Sequence, residues 1–283
     1  MTLVSYEQLL RAPCREPDHV SPIDGVSEPD WRWYPGPSAA ATDPVKLGSG
    51  EEHVDRGSAQ VLVLVIHGGC WSAAFDRTHL MPFCTHLSGQ GAHVLLPEYR
   101  RCGQAGAGWP GTFSDVAAAA RRAHQLADEE SLRLAILGHS AGGHLALWLN
   151  SRGLSRGVET LTPGPRARVD RVVGLAPITN LDSYRREEGE CQVMVDQLMA
   201  AGEPLEPAAV SPYFGEAVAD EIIVAGERDP IVGEQQTIFY AREKGCASIV
   251  QNNAGHFDAL LPGEPACDQL AQILLNGRGP IAP

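Results

Sequence analysis

Ser140, Asp229 and His256 are the residues of this 283-residue chain whose types and order suit nucleophilic catalysis. A serine hydroxyl is a weak nucleophile at neutral pH, so it needs a base within hydrogen-bond reach, and the base needs an acceptor that orients its ring. Ser140 lies in GHSAGGH between Gly138 and Gly142, where a chain can turn sharply with little side-chain obstruction. His256 lies in NNAGHFD, and Asp229 closes the run EIIVAGERD. The fourth stretch with chemical content is HGGCW at 67–71, where Gly68 and Gly69 can turn backbone N–H groups toward a developing oxyanion. Ala141, directly after the serine, supplies a third N–H from the start of a helix. Among other carboxylates, Asp258 falls on the far side of His256 and Asp220 precedes its strand, so both read as local or solvated groups.

The elements that must position these residues follow from the apolar pattern. Leu132 to Leu137 form a short apolar run before the Ser140 turn, and a small-sided helix follows it: strand, sharp turn, helix. VLVLVI runs directly into HGGCW, so the two glycines stand at a strand end. Further strands are expected in AHVLLPEYR, VDRVVGLAP, EIIVAGERD and ASIVQNN, with helices near Arg77–Gln90, Thr112–Asp128, Glu234–Lys244 and Ala266–Leu275. Alternating strands and helices imply a mainly parallel sheet with right-handed crossovers and helices on both faces. In such a sheet the loops after the strands share one edge, which is where Ser140, Asp229, His256 and the glycines fall. Residues 1–60 are rich in Pro, Gly and acidic side chains, with WRWY at 31–34 as apolar anchor, and read as an N-terminal arm with edge strands before a catalytic domain at 61–283. A loop is expected at 162–168, and 181–213 breaks the alternation as a small lid or a long surface excursion.

Bulk composition narrows the function classes. Lys and Arg total 22 against 35 Asp and Glu, a formal charge of −13, which disfavours nucleic acid and anionic membranes as partners. No apolar stretch approaches the roughly 18 residues of a membrane span, and the N-terminus lacks a basic start followed by an apolar core. Seven cysteines without a C-x-x-C pair argue against a disulfide framework or zinc site and suit a reducing cytoplasm. No H-E-x-x-H or clustered Cys/His spacing calls for a metal, and no cofactor is expected. His67 reads as a brace of its loop. Cys70 and His139 are expected to line the substrate pocket, and Trp71 to be a pocket wall or core packing.

Taken together, HGGCW, GHSAGGH, GERD and AGHFD resemble the α/β-hydrolase superfamily, more narrowly the hormone-sensitive-lipase-like and kynurenine-formamidase-like esterases, from about Val61 onward. The order Ser140, Asp229, His256 is that of the superfamily. The resemblance implies Ser140 as nucleophile, His256 as base, Asp229 as acid, and Gly68, Gly69 and Ala141 as oxyanion donors. It also gives Tyr99, Arg100, Pro110 and Asp115 in EYRRCGQAGAGWPGTFSDV a structural role, and makes SPYF at 211–214 the Ser-Pro segment ahead of the acid's strand. Formamidase relatives often carry an aromatic residue where this chain has Cys70. The implied activity is cofactor-free hydrolysis of a small carboxylic ester or an activated amide through an acyl-enzyme. An N-formyl aromatic amide, its ring meeting Trp71, is the special case. Two other readings are a peptidase of prolyl-oligopeptidase type, for whose propeller the chain has no room, and a non-catalytic ligand-binding homologue, which often loses a member of the Ser, His, Asp set.

Overall fold

The computed structural model describes residues 2–22, 30–34, 61–154, 169–200 and 205–276. In chain order its elements are α1 (Tyr6–Arg11), β1 (His19–Pro22), β2 (Asp30–Tyr34), β3 (Val61–Ile66), α2 (Met81–Gly89), β4 (His93–Pro97) and α3 (Gly111–Glu129). There follow β5 (Arg133–His139), α4 (Ala141–Leu149), β6 (Ser151–Arg152), β7 (Val169–Leu175), α5 (Leu181–Tyr184), α6 (Val193–Ala200) and β8 (Glu216–Ala217). The chain continues through β9 (Glu221–Gly226), α7 (Ile238–Lys244), β10 (Ala247–Gln251) and α8 (Pro265–Leu275).

Eight strands form one sheet in the order β1-β2-β4-β3-β5-β7-β9-β10. The six from β4 to β10 run parallel, while β2 pairs antiparallel with β4 and β1 with β2. The two-residue strands β6 and β8 pair separately. Every residue of β3 is buried, as a central parallel strand covered on both faces requires. Its period-two alternation divides the core. Leu62, Leu64 and Ile66 join Phe113 and Val116 of α3 and Trp148 of α4 on one face. Val61, Val63 and Val65 join Phe83 and Leu87 of α2 and Leu270 and Leu274 of α8 on the other.

Because the six strands are parallel, the loops after β3, β5, β9 and β10 emerge along one edge, and they carry Gly68, Ser140, Asp229 and His256 respectively. The expected helix at 77–90 opens as a 3-10 turn, Arg77–Leu80, because the Asp76 carboxylate accepts from the Thr78 N–H at 2.8 Å and starts the winding there. The expected helix at 234–244 is regular only from Ile238, after a stretch of turns. Residues 181–213 carry α5, α6 and a short 3-10 turn, Pro207–Val210, and a second such turn, Pro212–Phe214 inside SPYF, runs one residue past them. Residues 23–29, 35–60, 155–168, which take in the whole expected 162–168 loop, 201–204 and 277–283 lie outside the described residues. Of WRWY only the backbone is placed, in β2.

The packing of α4 on the sheet leaves no room for side chains at its first turn. A Cβ on Gly142 would overlap the carbonyl oxygens of Ile66 and His67, and one on Gly143 would come 2.8 Å from Pro177. Gly142→Ala is therefore expected to destabilise the protein by about 2 kcal/mol or more. Its Tm should drop by roughly 4 °C or more. Gly89→Ala, where a Cβ meets nothing within 4 Å, should leave Tm unchanged or slightly raised. Thermal melts that put the two variants together would contradict this packing.

Candidate active site

Ser140 is held in a backbone conformation that only a tightly packed turn sustains. Its φ is 55° and its ψ −118°, a region costly for a side chain other than glycine. Three hydrogen bonds enforce it: Ser140 N–H donates to Leu175 O at 2.9 Å, and His144 N–H and Ile178 N–H donate to Ser140 O at 3.1 and 3.4 Å. The turn joins β5 directly to α4, so the serine stands at the helix N-cap and Ala141 is the first helical residue. The Ala141 N–H is one of those an α-helix leaves without an intrahelical partner.

Asp229 and His256 meet 27 positions apart in sequence. His256 Nδ1 donates to Asp229 Oδ2 at 2.7 Å, both side chains being almost fully buried. The other carboxylate oxygen, Asp229 Oδ1, accepts from the N–H groups of Ile231 at 2.8 Å and Val232 at 3.0 Å. This local turn fixes the carboxylate plane before the imidazole reaches it. Gly226 lets the two loops approach: a Cβ there would lie 2.5 Å from Gly255 O. His139 holds His256 from the other side, donating its Nε2–H to His256 O at 3.0 Å. Burial first, then the neighbouring His256 and His79 rings, drives the His139 imidazole well below the usual histidine range, so it is neutral. Its Nδ1 finds no hydrogen-bond partner among the described residues.

The HGGCW loop is braced by its own histidine. His67 Nε2 lies 2.6 Å from Glu98 Oε1 and Nδ1 2.7 Å from Gly68 O, and the ring stacks on Tyr99 at 4.2 Å. The Tyr99 hydroxyl donates to His67 O at 2.8 Å. Burial raises the Glu98 carboxyl, but His67, by charge and hydrogen bond, with Arg101 and Arg77 outweighs it and holds the group at about 2. Arg100 grips Asp115 through Nε at 2.8 Å and Nη2 at 2.7 Å, tying the segment after β4 to α3. The loop so fixed brings Gly68 against the serine: a Cβ on Gly68 would sit 3.1 Å from Ser140 Cβ and 2.8 Å from His139 O. Gly69 has a φ of +103°, and a Cβ there would strike Phe75.

Ser140, His256, His139, Gly69 and Cys70 line one cavity of about 460 Å³. That volume lies in the range of small-molecule sites. Of the two alternatives for Trp71 the structure has core packing, and the expectation against disulfides is corrected. Trp71 is not a pocket wall: with φ 54° the chain turns it inward, and it is fully buried in the core, edge-on to His144. Cys70 lines the cavity as expected, but, against the reading of the scattered cysteines as unpaired, it forms a disulfide with Cys191, a residue in the segment between α5 and α6. The cavity also gains Tyr6, Phe75, His79, Met194 and Phe257, none of which the sequence reading singled out. Phe257 had a signal in its place next to His256. Tyr6 had none. Among the described residues no cluster of three or more His, Cys, Asp or Glu suits a metal ion, and no helix is long and apolar enough to cross a membrane.

A parallel sheet of this order, entered by a strand–serine–helix turn, defines an α/β-hydrolase fold. The chain belongs to the BD-FAE family, whose profile matches residues 53–243, more than half of its length. Solved structures of a Thermogutta terrifontis esterase share the fold. Esterase 2 phosphonylated by sarin superposes with a TM-score of 0.67 at 20% identity, over 92% of this chain and 93% of that one. The native Est2 structure gives 0.66 at 20% identity over 94% of each chain, and the propionate-bound form 0.65 at 19% over 90% and 91%. No curated protein matches the chain.

Three buried imidazoles around the site make stability depend on pH. Burial above all holds His79 at about 3 and His144 at about 4, and His139 is likewise depressed. Folded-state values below the unfolded 6.5 mean that the unfolded chain binds more protons, so this stabilisation is complete above pH 6.5 and is lost as pH falls toward 4. The slope is about 1.4 kcal/mol per pH unit for each histidine. Glu221, its carboxyl raised by burial, acts in the opposite sense near the lower end. The urea midpoint should be lower at pH 5 than at pH 7; equal midpoints would show that these rings are not buried neutral.

Proposed function

We propose that this chain is a serine hydrolase that cleaves small carboxylic esters through an acyl-enzyme. Ser140 Oγ attacks the carbonyl carbon while His256 takes its proton, and Asp229 orients the imidazole and balances the charge it acquires. The oxyanion is received by N–H groups of Gly68, Gly69 and Ala141. The tetrahedral adduct collapses, His256 returns the proton to the departing alcohol, and a water repeats the sequence to release the acid. The observation that carries this reading is the 2.7 Å bond from His256 Nδ1 to Asp229 Oδ2, beside a serine held at positive φ in the same cavity. The ester preference also draws on the fold likeness to a Thermogutta terrifontis esterase.

An N-formyl aromatic amide is a second substrate class. Favouring it is a cavity whose wall includes the rings of Tyr6, Phe75 and Phe257, which take the place once expected of Trp71. Residues 181–213 act as a lid in this reading: Glu190, Cys191 and Met194 border the cavity, and the Cys70–Cys191 disulfide ties them to the oxyanion loop. Residues 61–283 are then the catalytic unit and 1–60 an arm upon it.

The test is turnover of p-nitrophenyl acetate and of an N-formyl aryl amine. Ser140→Ala should lower kcat/KM by at least about a thousandfold, and Asp229→Asn by about the same, with folding intact by circular dichroism. Wild-type rates in Ser140→Ala would remove the nucleophile assignment.

A further inference from the structure

Tyr6, the first residue of α1, is built into the wall of the cavity. Ser5 and Gln8 cap the helix reciprocally: Ser5 Oγ accepts from Gln8 N–H, and Gln8 Oε1 accepts from Ser5 N–H at 2.8 Å. Val4 and Leu9 are buried in the same core cluster as Ala259 and Leu260, which follow His256. The link between these stretches is Asp258. Its Oδ2 accepts from Val4 N–H at 3.2 Å and from Gly255 N–H at 3.0 Å, so one buried carboxylate oxygen joins the N-terminal segment to the residue preceding His256. Leu3 adds contact, its Cδ1 lying 3.0 Å from where a Cβ on Gly255 would stand. Asp258 had read from sequence as a local or solvated group; its bond to Gly255 is local, but it is buried and its bond to Val4 is not local. That bond spans 254 positions.

This docking puts the Tyr6 ring into an aromatic cluster. It packs edge-on to Phe75 at 5.4 Å and to Phe257 at 6.0 Å, and lies 5.1 Å from His79. All four rings line the cavity that holds Ser140 and His256. Such a wall rewards a flat ring over a saturated one of equal size, because edge-to-face and stacked contacts add to area burial.

We propose that Tyr6 is a specificity-determining residue that selects substrates bearing an aromatic ring, and that Asp258 is a positioning residue that seats the N-terminal segment against the His256 loop. The proposal rests on the serine-hydrolase reading of the site, and its test separates the two.

Two matched pairs of esters differ only in aromaticity: benzyl against cyclohexylmethyl acetate, and methyl phenylacetate against methyl cyclohexylacetate. The ratio of kcat/KM within each pair cancels leaving-group reactivity when variants are compared. Tyr6→Ala should lower the aromatic preference about tenfold in one pair, which identifies whether the alcohol or the acyl side meets the wall, and Tyr6→Phe should keep it. Asp258→Ala should lower the same ratio and speed hydrogen exchange at the amides of Val4 and Gly255. Binding of benzyl alcohol by ligand-detected NMR makes the comparison without turnover, and Tyr6→Ala should weaken it severalfold. Failure of the wild type to label with a fluorophosphonate at Ser140 would count against the serine reading alone. Ester ratios and benzyl alcohol affinity within twofold of wild type in Tyr6→Ala would overturn the role given to Tyr6. Unchanged exchange at Val4 and Gly255 in Asp258→Ala would overturn that of Asp258.

Discussion

The close approach of the first turn of α4 to the end of β3 is the constraint on which the site depends. With no Cβ at Gly142, the helix start rests on the carbonyls of Ile66 and His67, and with none at Gly138 the strand ends against the same turn. Ser140 must then bend through positive φ to join β5 to α4. The bend carries a conformational cost, which the surrounding backbone bonds to Leu175, His144 and Ile178 offset. The same approach sets the Gly68 loop against the serine.

The partners of that turn are held at the strand ends, Asp229 from within its own loop and the two histidines from neighbouring strand ends. Asp229 is fixed by the amides two and three residues on, His67 by Glu98 and Tyr99, and His256 by His139 on one side and Asp229 on the other. A parallel sheet brings these loops to one rim, where they brace one another. Burial keeps His139 neutral, so its Nε2–H can brace the His256 backbone without adding a second positive charge beside it.

What was legible in the sequence is what local chemistry determines. The strand, glycine turn and helix around Ser140, and the placement of Asp229 and His256 just past strands, follow from apolar runs and small residues read in order. The parallel sheet and its alternation with helices were visible for the same reason. What could not be read are contacts between distant stretches. Cys70 and Cys191 lie 121 positions apart among seven scattered cysteines, so no spacing marked them as a pair. Trp71 was ambiguous because its direction depends on positive φ at both Cys70 and Trp71, which residue types do not announce. Tyr6 and Asp258 act through the docking of a short capped helix onto a loop from the far end of the chain, and neither stretch carries a local signature of the other.

The central claim is that the hydroxyl held in this turn accepts the acyl group. Rapid acid quench within the first turnover of p-nitrophenyl acetate, followed by peptide mapping by mass spectrometry, tests it most directly. The account predicts a single acetyl group on Ser140, appearing together with the first equivalent of p-nitrophenol. Release of p-nitrophenol with Ser140 unmodified throughout that turnover, and the acetyl group on another side chain, would contradict it.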